Sequence, residues 1–366
     1  MKVKALLLFF SLAIAFSCTQ ENSAEETPEQ ADRRASQNLR NKKFPQVISI
    51  DSLKQTEFVF ALEQKFDGSK NVLYAPTVLL SWDGLKKAYN TSTFYPTDQD
   101  KLFRLLNDTK SHLGALDSNE YSLEIEKMVD GAKVRTYFQK SLPFEFDMQT
   151  FTDFTFKKDS VKSFGFQYQD WELLKNIHIV YYKNDEEFIL KLSPQDKSNE
   201  IILVKGDHTS RNFKEALTFY KNKAEIGKTD KANEKTKWKT VFMYGDVMRI
   251  PNLQFHIEKF YQDLMGKKYT DDDHVLHKLV LLYQRNAFML NASGAKMESE
   301  AIAADSTAAI GDDTIALPEP KTLFFNDDFY VFVKKTNTES PYFAIKITNT
   351  ELMEKKEDEH LYHLIK

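Results

Sequence analysis

The sequence predicts an α+β protein, and three observations carry that. Apolar residues at helical spacing are concentrated before residue 110. From about residue 121 onward, short aromatic-rich runs of strand character take over, without the strict strand–helix alternation of a doubly wound sheet. Glycine is sparse, 11 of 366 residues, against 29 Phe and 16 Tyr, so the chain can fill a large aromatic core but lacks the glycine supply of a nucleotide-binding α/β fold.

The elements follow in order. Ile48, Leu53, Phe58, Phe60, Leu62 and Phe66 predict a mostly helical segment over 50–66, closed by Gly68. Asn71 to Pro76 is a short extended piece. Val78, Leu79, Trp82 and Leu85 share one face of a helix over 77–89, and residues 98–107 suggest another. Phe154–Phe156, Ile177–Tyr182, Phe188–Leu192 and Ile201–Val204 are strand candidates, and 212–224 is helical. Val241–Met243, Val247–Ile250 and Leu253–Ile257 predict strands, 258–265 a short helix, and Leu279–Leu290, Tyr330–Lys334 and Tyr342–Thr348 further strands. Residues 294–320 interrupt these strands with alanine, serine, aspartate and other small residues, and carry Pro318 and Pro320 near their end. A loop of that length inside a compact domain is functional or disordered.

Hydrophobic residues make up 42% and charged residues 28%, an ordinary globular composition. The formal charge is −4 with no long basic block, which argues against a nucleic-acid partner. The sequence has no HExxH, GxSxG or Walker pattern, so the chain is not expected to be an enzyme and no cofactor is expected. The single cysteine, Cys18, excludes an intrachain disulfide.

Lys2 and Lys4 precede an uncharged run, Ala5 to Phe16, too short to span a bilayer as a helix but right for the apolar core of a secretory signal. Its end, Ala15-Phe16-Ser17-Cys18, resembles the lipobox of bacterial lipoproteins. That resemblance implies removal of residues 1–17, lipidation of Cys18 and a mature charge of −6, since Lys2 and Lys4 leave. Residues 18–46 then predict a disordered tether: Glu21, Glu25, Glu26 and Glu29, then Arg33, Arg34, Arg40, Lys42 and Lys43, with almost nothing apolar to offset ordering. The acidic stretch is similar to export signals of some Gram-negative surface lipoproteins, which implies an outer-membrane anchor and surface exposure. A plain solvated linker remains the alternative. Residues 47–350 form the main domain and 351–366 a charged tail.

Several segments resemble the serpin family. Phe58–Leu62 followed by Asn71–Pro76 and a helix resemble its first helix, sixth strand and second helix. Tyr137–Pro143 matches a strand-and-turn segment near the middle of serpins, and Val247–Pro251 with Leu253–Phe255 matches a later hairpin. Asn291-Ala292-Ser293-Gly294 sits where serpins carry Asn-Glu-Glu-Gly before their reactive loop, and Phe325–Phe332 and Ser340–Asn349 resemble the closing strands. The resemblance implies several helices on a large mixed main sheet with smaller sheets, and a long exposed reactive-type loop over 295–320. The middle, 150–240, matches weakly and is expected to have lost a helix or a sheet edge.

Function enters through the same resemblance. It implies inhibition of serine or cysteine endopeptidases: the loop is cut, inserts into the main sheet as a new strand, and carries the acylated protease with it. The implied partner is an extracellular or host protease, of elastase-like preference if the cut falls at Ala308-Ala309, where family spacing from Gly294 places it. Monomer is the expected state, with the membrane touched through the lipid alone. The alternative is a non-inhibitory serpin-fold lipoprotein that binds a protein or glycan.

The residues after the implied pivot, Gly294, support insertion on their own terms. Alternate residues Ala295, Met297, Ser299, Ala301 and Ala303 are uncharged, while Lys296, Glu298 and Glu300 lie on the other parity, so a strand here could bury one face. The hinge is thus Gly294, Ala295, Lys296, Met297, Glu298 and Ser299. Departures from the family pattern are Ala295 in place of threonine or serine, Asp305 on the inward parity, and Ala75 and Val78 where serines would steady the sheet opening. Met297 stands where a small side chain is usual, with an expected crowding cost of about 1–3 kcal/mol.

Three weaker patterns remain. Asp271, Asp272, Asp273, His274 and His277 are read as a solvated turn, with a cation site as the alternative, and His360 and His363 fall in the charged tail. The triplets at Asp51, Asp159 and Asp313 resemble a bacterial O-glycosylation pattern that chance also produces.

Overall fold

The structure, a computed structural model, describes residues 37–128, 131–168, 171–297 and 319–356. Cys18, Glu298, Ser299, Ala308, Ala309, His360 and His363 lie outside the described residues. In chain order the strands are β1 Ile48–Ser49, β2 Thr56–Val59, β3 Asn71–Tyr74, β4 Tyr95–Pro96, β5 Ser122–Met128, β6 Gly131–Tyr137, β7 Lys140–Pro143, β8 Gln149–Phe156 and β9 Asp159–Phe166. They continue with β10 Ile177–Asn184, β11 Glu187–Leu192, β12 Asn199–Lys205, β13 Val247–Pro251, β14 Leu253–Phe260, β15 Lys268–Thr270 and β16 Leu276–Lys278. The last are β17 Tyr283–Asn291, β18 Gly294–Met297, β19 Thr322–Phe324, β20 Phe329–Lys335 and β21 Phe343–Ile347. The helices are α1 Thr77–Tyr89, α2 Lys101–Asp108, the single turn α3 Trp171–Leu174, and α4 Phe213–Ala232.

Helices are few and sheets are several. A five-stranded sheet has the order β1-β14-β17-β18-β7, and a seven-stranded sheet the order β10-β11-β12-β20-β21-β3-β2. Smaller sheets join β19-β13-β9-β8, β16-β15-β4 and β5-β6. The two large sheets pack face to face: Phe255 and Phe288 of the five-stranded sheet stack on Phe343 of β21, with ring centroids 6.4 and 4.9 Å apart. On the far face of the seven-stranded sheet, Phe213 of α4 meets the rings of Tyr74, Tyr330 and Phe332. Covered on both faces, β12, β20 and β21 are buried along their whole length and show no polar alternation.

Helix ends follow local chemistry. Asp100 accepts from the Phe103 amide at the start of α2, and Asn212 from the Glu215 amide at the start of α4. α1 follows Pro76 and ends at Asn90, which takes the left-handed conformation at φ 53°. Trp82 of α1 packs edge-on to Phe94 and Phe103, at 5.0 and 5.3 Å.

Several expectations are corrected. The helix read over 50–66, and with it the first helix implied by the serpin resemblance, is a short 3-10 turn and then β2, which pairs in parallel with β3 from Thr56↔Asn71 to Val59↔Tyr74. That non-local pairing overrides the local spacing of Phe58 and Leu62. Residues 258–265 are no helix: β14 runs to Phe260 and turns follow. Residues 241–243 form no strand, because the Met243 amide is taken by the Asp246 carboxylate in a turn. α4 runs on past 224 to Ala232. Of the expected tether, residues 37–46 pack on the domain, and Leu39 is wholly buried. No helix among the described residues is long and apolar enough to cross a membrane.

Candidate functional site

Of the residues expected to form a hinge, Gly294–Met297 form a strand. β17 ends at Asn291, whose side chain accepts from the Ser293 amide at 2.9 Å. The chain reverses through Ala292 and Ser293, whose carbonyls accept from the amides of Met148 and Phe144. β18 then runs back along β17 in the register Asn291↔Gly294 to Phe288↔Met297, with β7 on its other edge from Gly294↔Pro143 to Met297↔Lys140. Gly294 has φ +135°, and a Cβ there would lie 2.4 Å from the Leu142 carbonyl oxygen, so only glycine fits this close approach. Ala295 and Met297 point into the core, 0% and 2% exposed, and Lys296 faces outward.

The loop read from Ala295 therefore starts later: β18 keeps the chain in the sheet through Met297. Met297 is 2% exposed and lies beside a large cleft. The flanking strand is also fixed. Lys140, beside Met297, pairs with Glu120 and donates to Asn199, which in turn accepts from the buried Tyr342 hydroxyl at 2.6 Å.

The cleft lies beside Met297. Beyond Met297 the described ladders are those of β6 with β5 and of Tyr283–Ala287 of β17 with β14. The space between, about 1110 Å³, is closed by α1 through Thr77, Ser81, Trp82 and Leu85. Ser81 holds β6 by donating to Thr136 at 2.8 Å. Lys133, Arg135, Lys268, Lys278 and Arg285 line the cleft against Glu124, so it is net basic. On the inward face of β17, the buried amide nitrogen Nδ2 of Asn286 has no hydrogen-bond partner among the described residues.

Ala75 and Val78, expected to leave the opening without hydrogen bonds, are both buried there. Gln284 supplies the bonds instead. Its Nε2 donates to the Ala75 carbonyl at 3.3 Å and to Thr77 at 3.2 Å, and its Oε1 accepts from Tyr261 at 2.6 Å. Sequence reasoning missed Gln284 and Asn286. Their signal was two amides on the inward parity of an otherwise apolar strand candidate.

Of the other candidates, His277 lines the cleft and the aspartates lie in a turn beside it. Asp271 accepts from the amides of Asp273 and Val275 and from His277, and Asp272 from Ser92 and Tyr95, so these carboxylates serve the turn. Hydrogen bonds from Ser92 and Thr91 hold the Asp272 carboxyl down at about 2. Ser52 and Ser160 of the triplets are exposed. Trp82 is core, Trp171 is exposed, and Trp238 packs against Tyr182.

No protein-family model matches the chain. No curated protein matches it either. Among solved structures it is similar to "thyroxine-binding globulin complex with thyroxine", at 13% identity and a TM-score of 0.38, over 77% of this chain and 93% of that one. A likeness at that level carries no argument here.

Proposed function

We propose that this protein is a serpin-type inhibitor of serine or cysteine endopeptidases, held at the outer membrane through lipid on Cys18. The observation that carries the reading is the way Gly294–Met297 sit: β18 lies between β17 and β7, with Ala295 and Met297 turned into the core, Lys296 turned out, and Gly294 in close approach to the Leu142 carbonyl. Extended in the same register, Ser299 would come opposite Asn286 and meet its unpartnered Nδ2, and Ala301 would come opposite Gln284. Glu298 and Glu300 would stay on the outer parity, Glu300 opposite Arg285 in the basic cleft. The serpin-like order of motifs along the sequence supports the same reading.

In that mechanism the protease nucleophile attacks a loop carbonyl, the peptide C–N bond breaks, and the amine leaves with a proton. The acyl-enzyme stays attached to the part of the loop joined to Gly294. Insertion lengthens β18, the protease is dragged along, and a displacement of about 1 Å in its site slows deacylation roughly a hundredfold. The chain's own residues act as a spring and perform no catalysis.

The test uses the chain from Thr19 and catalytic elastase. About six newly inserted residues, each adding roughly 0.5–1.5 kcal/mol, raise the melting temperature by on the order of 10 °C after cleavage. A covalent protease adduct appears on a denaturing gel. Ala295→Arg abolishes both, since a charge at that wholly buried position, flanked by Leu290 and Leu142, keeps β18 out of the sheet. Cleavage with no rise and no adduct leaves the non-inhibitory binding protein as the reading.

A further inference from the structure

Residues 37–46 form a strap across the outer face of the five-stranded sheet, and it grips the hinge. Residues 37–41 are helical, Leu39 is wholly buried, and Asn38 donates to Asp147 at 2.7 Å. Lys296, the outward residue of β18, donates from its ammonium to the carbonyls of Arg40 at 3.3 Å and Lys42 at 3.0 Å. The same ammonium stands 5.5 Å from the centre of the Phe44 ring. Phe44 also leans on the ring of His256 at 6.2 Å, whose Nδ1 lies 3.2 Å from the Pro45 carbonyl. That carbonyl can only accept, so Nδ1 carries the proton. Two residues on, Ile48–Ser49 join the sheet edge in parallel with Ile257–Glu258.

We infer that the strap is a latch on β18. It is held at Asp147 and on β14, and between them it accepts from Lys296, whose side chain leaves the core. β18 cannot leave the sheet without breaking the Lys296 bonds, and the strap cannot lift without freeing Lys296. The two states are therefore linked, and release of one loosens the other by the same factor. Since Cys18 lies upstream of the strap in the same chain, a cut in 37–46 would reach the hinge directly. The latch acts in the uncut protein, so it stands or falls independently of the inhibitory reading.

Hydrogen exchange tests it. Two variants are compared with the chain from Thr19: Lys296→Met, which keeps the length of the stem and loses the donor, and a chain starting at Phe44. The latch predicts that the amides of Ala295–Met297 exchange about tenfold to a hundredfold faster in both, while residues 201–204 and 331–333 keep their protection. Unchanged exchange in Lys296→Met overturns the proposal, even where the shortened chain loosens, because the strap would then act by covering alone. If the shortened chain loosens everywhere, its fold has suffered and Lys296→Met decides.

Discussion

Replacing Gly294 with alanine probes the seat of β18 most directly. At φ +135° the backbone itself costs an alanine about 1–3 kcal/mol. The added Cβ would stand 2.4 Å from the Leu142 oxygen and 2.7 Å from the Pro143 Cα, both backbone atoms that no rotamer change can move. The cheapest escape is to peel β18 from β7. That forfeits ladder hydrogen bonds of about 0.5–1.5 kcal/mol each and exposes Met297, whose burial contributes about 1.5–3 kcal/mol. Peeling caps the loss at about 5 kcal/mol, and about 2–5 kcal/mol is expected, or roughly 4–10 °C in melting temperature for a chain of this size.

The control is Gly114→Ala. Gly114 also has a positive φ, 75°, but nothing lies within 4 Å of its would-be Cβ, so only the backbone cost of about 1 kcal/mol applies. Calorimetry gives the global loss, and hydrogen exchange at 140–143 and 294–297 locates it. If both variants melt together and the Ala295–Met297 amides stay protected, the close approach of β18 to β7 is wrong.

Two further outcomes follow from buried charge. Lys321 and Asp246 are wholly buried and 2.9 Å apart, so Lys321→Met leaves a buried carboxylate and lowers stability by about 3–5 kcal/mol, with the double change Lys321→Met, Asp246→Asn recovering much of it in urea unfolding. Partial desolvation of His178, which stands exposed on β10, together with Lys191, Lys231 and Lys197, pulls its imidazole down to about 4. The unfolded chain thus binds a proton near pH 6.5 that the folded one refuses, so stability falls as pH drops from about 6.5 to 4, and His178→Gln flattens that part of the melting-versus-pH curve.

What the sequence reveals differs by element for physical reasons. The helix over 77–89 is legible to the residue because Pro76 starts it and its apolar positions share one face. The segment at 50–66 is not, since β2 exists through pairing with a strand fifteen residues away, Thr56↔Asn71. The inward parity of Ala295 and Met297 is visible as an alternation, because a strand with one buried face imposes period two. The cleft is invisible for the opposite reason: α1, β6 and the first half of β17 meet there from three distant parts of the chain, and no local pattern records their divergence.

The strap shows the limit most clearly. Its composition lacks the apolar content to fold alone, and by that measure it reads as tether. Yet a short segment laid on an existing sheet needs only a few contacts, because the surface beneath it is already ordered. Leu39 and Phe44 supply the packing, and the strap's own backbone carbonyls, which every residue carries, supply the grip on Lys296. Composition cannot report bonds made through the main chain, and so the segment that holds the hinge carries no side-chain motif that sequence reading could have found.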